Sequence, residues 1–139
     1  VYKRQVQRRY TGKPRVVVVD RDDEGLNLIC RHLAGVVEVA PVREWEKAWK
    51  IIHADPNVVA VLVDQSIGTD GSGASSALGQ VRAERPTVRR VLVTTPGELA
   101  ALLDGLHSGV IERVVYKPIN RRELVSSFVT ALPQASKTA

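Results

Sequence analysis

Short apolar runs that close on a polar side chain alternate down this chain with apolar stripes of helical period. No other feature limits the fold as much. Residues 16–19 are four consecutive valines ending at Asp20, and residues 58–63 form a second apolar run ending at Asp64. Such continuous runs fit strands buried on both faces. Shorter runs at 36–40, 90–93 and 113–116 complete a set of five, the last two closing on Thr94 and Lys117. Between them lie helical stripes: Leu26, Ile29, Cys30 and Leu33; Trp45, Ala48, Trp49 and Ile52; Leu78 and Val81; Leu99, Leu102, Leu103 and Leu106; and Leu124, Val125, Phe128 and Leu132. Gly35 and Gly109 stand where helix ends are expected, and residues 65–76 are expected to be a polar loop.

Five strands strictly alternating with five helices predict an α/β fold with a doubly wound, five-stranded parallel sheet covered on both faces. Right-handed crossovers leave few topologies, and the expected one is the flavodoxin-like (βα)5 arrangement with strand order 2-1-3-4-5. The expected organisation is a basic arm over residues 1–14, one domain over 15–132 and a tail or linker over 133–139.

Charge is unevenly distributed. The chain carries a formal +5, yet residues 1–15 alone hold six basic side chains and no acid, leaving the rest at −1. The arm is read as a solvated linker, so neither nucleic acid nor membrane is expected as a partner of the body. Residues 1–5 resemble translated adapter sequence and are set aside, and the absence of methionine suggests a fragment or a trimmed chain. A single cysteine, Cys30, excludes an internal disulfide, and no apolar run approaches the roughly 20 residues of a membrane helix. The expected location is the cytoplasm.

Open α/β sheets bind ligands at the carboxyl ends of their strands. Those ends carry Asp20 (followed by Arg21, Asp22 and Asp23), Asp64, Thr94 and Lys117. Each residue type has a use in phosphoryl chemistry: a carboxylate as nucleophile, a second as ligand for Mg²⁺, a hydroxyl and an ammonium for the phosphoryl oxygens.

The segments Val16-Val17-Val18-Val19-Asp20, Val61-Leu62-Val63-Asp64-Gln65, Val91-Leu92-Val93-Thr94-Thr95 and Val115-Tyr116-Lys117-Pro118 together resemble the receiver domain of bacterial two-component response regulators (CheY-like). The resemblance covers residues 15–132 and is nearest to receivers of hydrogenase-type transcriptional activators and cyclic-dinucleotide phosphodiesterases. It implies a phosphorelay signalling domain, not a metabolic enzyme. Asp64 would accept a phosphoryl group from a sensor histidine kinase, Thr94 would be the switch hydroxyl, and Lys117 would pair with the phosphoryl group. Asp20 and Asp64 would hold Mg²⁺, with Asp22 as a candidate third ligand. Lys117-Pro118 would be a cis bond. An output domain and a homodimer through helix 4, strand 5 and helix 5 belong to the same picture.

Three positions depart from the family's pattern. Arg21 stands where a second metal-binding acid is usual. Turned inward, it would pair with Asp64 at about 4 Å, worth roughly 4 kcal/mol before desolvation, and would weaken or abolish Mg²⁺ binding. That supports the alternative of an atypical (pseudo-)receiver acting as a phosphorylation-independent interaction module. Gly68 replaces a usual proline in a longer loop over 68–73. Val114 occupies the usual switch-aromatic position, with Tyr116 on the same strand face as a displaced candidate.

Other signals carry less. Gly71-x-Gly73-x-x-Ser76 lies too far from its strand for a dinucleotide fingerprint. His32, His53 and His107 have no zinc spacing, and Ser72, Ser75 and Ser76 lack a nucleophile elbow. His53 reads as a helix C-terminal cation and the Trp45–Trp49 pair as core.

Overall fold

A computed structural model describes residues 13–67 and 73–132. The chain runs β1 (Arg15–Val19), α1 (Asp23–Leu33), β2 (Glu38–Val42), α2 (Trp45–Ala54), β3 (Val58–Asp64), α3 (Gly73–Glu84) and β4 (Arg89–Thr94). A 3₁₀ turn (Leu99–Leu102) then leads into α4 (Leu103–His107), β5 (Arg113–Tyr116), α5 (Arg121–Ser126) and a closing 3₁₀ turn (Val129–Ala131). All strand pairs are parallel and the sheet order is β2-β1-β3-β4-β5, as the alternating pattern predicts.

Strand alternation divides the core into two layers. Val17, Val19, Val61, Val63 and Leu92 face α2 and α3, where Ala48, Ile52, Leu78 and Val81 cover them. Val16, Val18, Leu62, Val91 and Val115 face α1 and α5, against Leu26, Ile29, Leu33, Leu124 and Phe128. Burial of a Val, Leu or Ile side chain contributes about 1.5–3 kcal/mol, so each layer is a major source of stability. The all-buried β3 lies at the centre of the sheet, which explains why its apolar run is the longest.

Several boundaries differ from the sequence expectation. The second strand is Glu38–Val42 rather than 36–40, because Gly35 takes φ +82° and the amides of Val36 and Val37 return to the Leu33 carbonyl. Those two residues therefore finish the helix. On this edge strand Pro41, which lacks an N–H, is tolerated. The expected loop over 65–76 is shorter at its far end, since α3 begins at Gly73 and already buries Ala74 and Ala77. The stripe from Leu99 to Leu106 is split into a 3₁₀ turn and a five-residue α-helix. The final helix ends at Ser126 instead of reaching Leu132, with the Ser126 and Ser127 hydroxyls donating to the carbonyls of Glu123 and Leu124.

The expectations for the arm over 1–12, the 68–72 part of the long loop and the tail over 133–139 lie outside the described residues. No helix among the described residues is long and apolar enough to cross a membrane.

The tryptophan pair is half-buried at the core edge rather than enclosed by it. Trp45 and Trp49 stack at 6.2 Å between centroids, and Trp45 Nε1 donates to Gln80 Oε1 of α3. His53 continues the row in the last turn of α2, with Nε2 3.6 Å from Glu84 Oε1.

Candidate functional site

The carboxyl ends of β1, β3, β4 and β5 lie along one rim of the sheet. Register fixes this placement. Val19 pairs with Val63, Asp64 with Val93, and Thr94 with Tyr116, so Asp20, Asp64, Thr94 and Lys117 each stand at or just past a strand end. Backbone bonds hold the residues beyond the ladders, with the Asp20, Gln65 and Lys117 amides donating to the carbonyls of Val42, Val93 and Thr94.

Asp20 and Asp64 are each only 4% exposed, and Thr94 is fully buried. Asp64 Oδ1 meets Lys117 Nζ at 2.6 Å, while Oδ2 accepts from the Ser66 amide at 2.9 Å. Asp20 Oδ1 accepts from the Asp22 amide at 2.9 Å. Burial pushes the Asp20 carboxyl above its ordinary range; the Asp22 amide opposes the rise and the negative charge of Asp64 adds to it. Burial opposes the charge on Lys117, but the hydrogen bond and charge of Asp64, aided by Asp20 and Glu98, outweigh it and raise the ammonium's pKa. Among the described residues, Thr94 Oγ1 has only a long 3.4 Å contact to the Thr95 carbonyl. Lys117-Pro118 is cis.

Arg21 is exposed and makes no ion pair among the described residues. The inward orientation considered from sequence is therefore not adopted, and Lys117 takes the place beside Asp64. Asp22 caps α1, its Oδ2 accepting from the Gly25 amide at 3.2 Å. That role was missed in the sequence, although an aspartate ahead of Asp23 and Glu24 is a helix-start signal. Two further neighbours were missed. Gly25 presents its bare Cα to Asp20, and an added Cβ there would overlap Asp20 Oδ2. Glu98, in the β4–α4 loop, accepts from Thr95 Oγ1 at 3.4 Å and acts on the charge of Lys117. Tyr116 is 37% exposed, and Val114 packs against the α2/α3 layer.

Mg²⁺ requires several oxygen ligands in near-octahedral array. The rim supplies two buried carboxylates, with Asp22 engaged in capping and Arg21 in the position of a third acid. No group of three Asp, Glu, His or Cys side chains placed to hold a metal occurs among the described residues. The side chains present do not make up the three-carboxylate set that the family pattern suggests.

Solved structures share this architecture. The signal receiver domain of a Bacteroides fragilis response regulator superposes with a TM-score of 0.75 at 17% identity, covering 88% of this chain and 99% of that one. The chain has the receiver-domain fold. The signal receiver domain of an HD domain-containing protein from Pseudomonas fluorescens Pf-5 gives 0.75 at 20% identity, covering 92% and 93%. A Rhodopirellula baltica protein described as adenylate cyclase gives 0.75 at 19%, covering 91% and 93%. No family model and no curated protein matches the chain.

Proposed function

We propose that this receiver-fold chain works as a phosphoryl-accepting switch, with Asp64 as the acceptor and a phosphohistidine of a sensor kinase as the donor. One observation carries the reading: a buried carboxylate at the end of the central strand faces an ammonium at 2.6 Å. A carboxylate oxygen of Asp64 attacks phosphorus, the P–N bond breaks, and the imidazole nitrogen leaves with the electron pair. The product is an acyl phosphate on Asp64. Lys117 balances charge on the phosphoryl oxygens as they arrive. Thr94 has little to give up, since its hydroxyl can exchange the long contact with Thr95 for a bond to the new phosphoryl group.

The output surface in this reading is α4, β5 and α5, where Leu103 and Tyr116 are more than a third exposed and a partner, an output domain or a second copy would dock. Phosphorylation acts by shifting a two-state equilibrium of that face.

A second reading, a pseudo-receiver that binds partners without phosphorylation, is favoured by one observation, the exposed Arg21 in place of an acid. Intact-mass measurement after incubation with phosphoramidate, with and without Mg²⁺, separates the two. The switch reading predicts a single phosphoryl adduct on the natural chain, increased by Arg21→Asp in the presence of Mg²⁺. An adduct on Arg21→Asp only would establish the pseudo-receiver.

A further inference from the structure

A groove of about 610 Å³ runs between α5 and the turn that closes α1, and shares no residue with the rim that carries Asp64. We propose that it docks an acidic, amphipathic segment of a partner protein, one that sets carboxylates beside aliphatic side chains.

Two arginines give the groove its charge. Arg121 and Arg122 open α5, are exposed, and line it. Arg121 Nε donates to the His32 carbonyl near the end of α1 at 2.9 Å, which holds the guanidinium in place and leaves its two Nη groups without a partner among the described residues. Arg122 makes no hydrogen bond or ion pair among the described residues. Planar guanidinium forks of this kind match carboxylates. Among the described residues no acid lines the groove to neutralise them. The other polar side chains there are engaged locally: Asn120 Oδ1 accepts from the Glu123 amide, and Ser126 Oγ donates to the Glu123 carbonyl.

The walls are apolar. Val36 and Val125 are half-buried, and Val129, at 42%, is the most exposed large hydrophobic side chain among the described residues. Aliphatic side chains laid against these valines would leave water together with them. A nucleic acid backbone would satisfy the arginines and leave the valines wet. The ends of this chain have the wrong charge to fill the groove: residues 1–15 hold six basic side chains and no acid, and residues 133–139 hold Lys137 and no acid. Occupancy does not require phosphorylation of Asp64 and accords with both readings above.

The test is an amide NMR titration of the full chain with a capped peptide that alternates glutamate pairs with leucine pairs. Saturable shifts are expected at Val36, Val125 and Val129, weakening as salt is added. Arg122→Glu is expected to weaken binding at least about tenfold through loss of charge-assisted bonds. Val129→Ser is expected to weaken it about threefold through lost wall contact. Arg122 holds no partner and Val129 is exposed, so both variants are expected to keep the natural spectrum elsewhere. A peptide with lysine in place of glutamate is expected to give no saturable shift. No saturable shift with the acidic peptide, equal binding of the lysine peptide, or unchanged binding by Arg122→Glu would overturn the proposal. So would tighter binding of duplex DNA or phosphatidylglycerol vesicles at the same amides. Shifts there that grow with protein concentration alone would assign the groove to a second copy and equally overturn it.

Discussion

Lys117 Nζ and Asp64 Oδ1 approach to 2.6 Å although their strands, β5 and β3, are not neighbours; β4 lies between them. The pair therefore spans one strand and ties the edge of the sheet to its centre. Its two members are unequally placed, with Asp64 buried and the Lys117 side chain 39% exposed.

That inequality predicts opposite effects from removing either partner. Lys117→Ala leaves a buried carboxylate close to a second one and is expected to cost about 2 kcal/mol, below the usual loss for breaking a fully buried pair because Lys117 is partly solvated. Asp64→Asn frees an ammonium that can turn to water and relieves repulsion with Asp20, so it is expected to be neutral or stabilising. Urea unfolding of both variants at neutral pH measures the difference.

Asp20 predicts a pH dependence. Its carboxyl is raised in the folded state, chiefly by burial, so the folded state holds a proton more tightly than the unfolded chain. The stability it contributes is present below the unfolded aspartate pKa, about 3.9, and is lost as pH rises through the higher folded value. Asp20→Asn removes that loss. The variant is expected to unfold at a higher urea midpoint than the natural chain at pH 7, with the gap closing on acidification toward pH 4.

Arg90 illustrates a buried charge used for structure alone. It is 5% exposed and donates to the carbonyls of Pro86, Val88, Gly109 and Val110, closing the end of the sheet opposite the candidate site. Glu112 approaches it at 3.7 Å and accepts from its backbone amide. Arg90→Met is expected to cost about 3 kcal/mol, since several carbonyls lose their donor together, while Glu112 keeps the residue-90 amide and Arg89. Hydrogen exchange should show faster opening at residues 109–112.

Two glycines with open space around them separate conformation from packing. Neither Gly35 nor Gly97 has an atom within 4 Å of an added Cβ, but only Gly35 has a left-handed φ, +82°. Gly35→Ala is expected to destabilise by about 1 kcal/mol, and Gly97→Ala to have no such cost. Thermal unfolding of the two variants tests this directly.

The sheet was legible in the sequence because its strands are buried on both faces. The short, valine-rich runs at 16–19 and 58–63 favour strand over helix by length and β-branching, and their terminal polar residues mark the rim. The half-exposed elements were less legible. In β2 the valines at 36 and 37 look like strand, yet Gly35 turns them into the end of α1; in α4 a leucine stripe of helical period winds partly as a 3₁₀ turn. Strand ends placed Asp20, Asp64, Thr94 and Lys117 on one rim, but side-chain direction could not be read there. Whether Arg21 or Lys117 faces Asp64 depends on which loop reaches inward, and the cradle around Asp20 depends on Gly25 lying in the first turn of the following helix.

Asp64 is the proposed phosphoryl acceptor. Its most direct test is to treat the natural chain and Asp64→Asn with phosphoramidate and locate any adduct by peptide mapping, using hydroxylamine to cleave acyl phosphates. One hydroxylamine-labile phosphoryl group is expected on the peptide containing Asp64 and none on the variant. An adduct on another residue, or one that persists in Asp64→Asn, would contradict it.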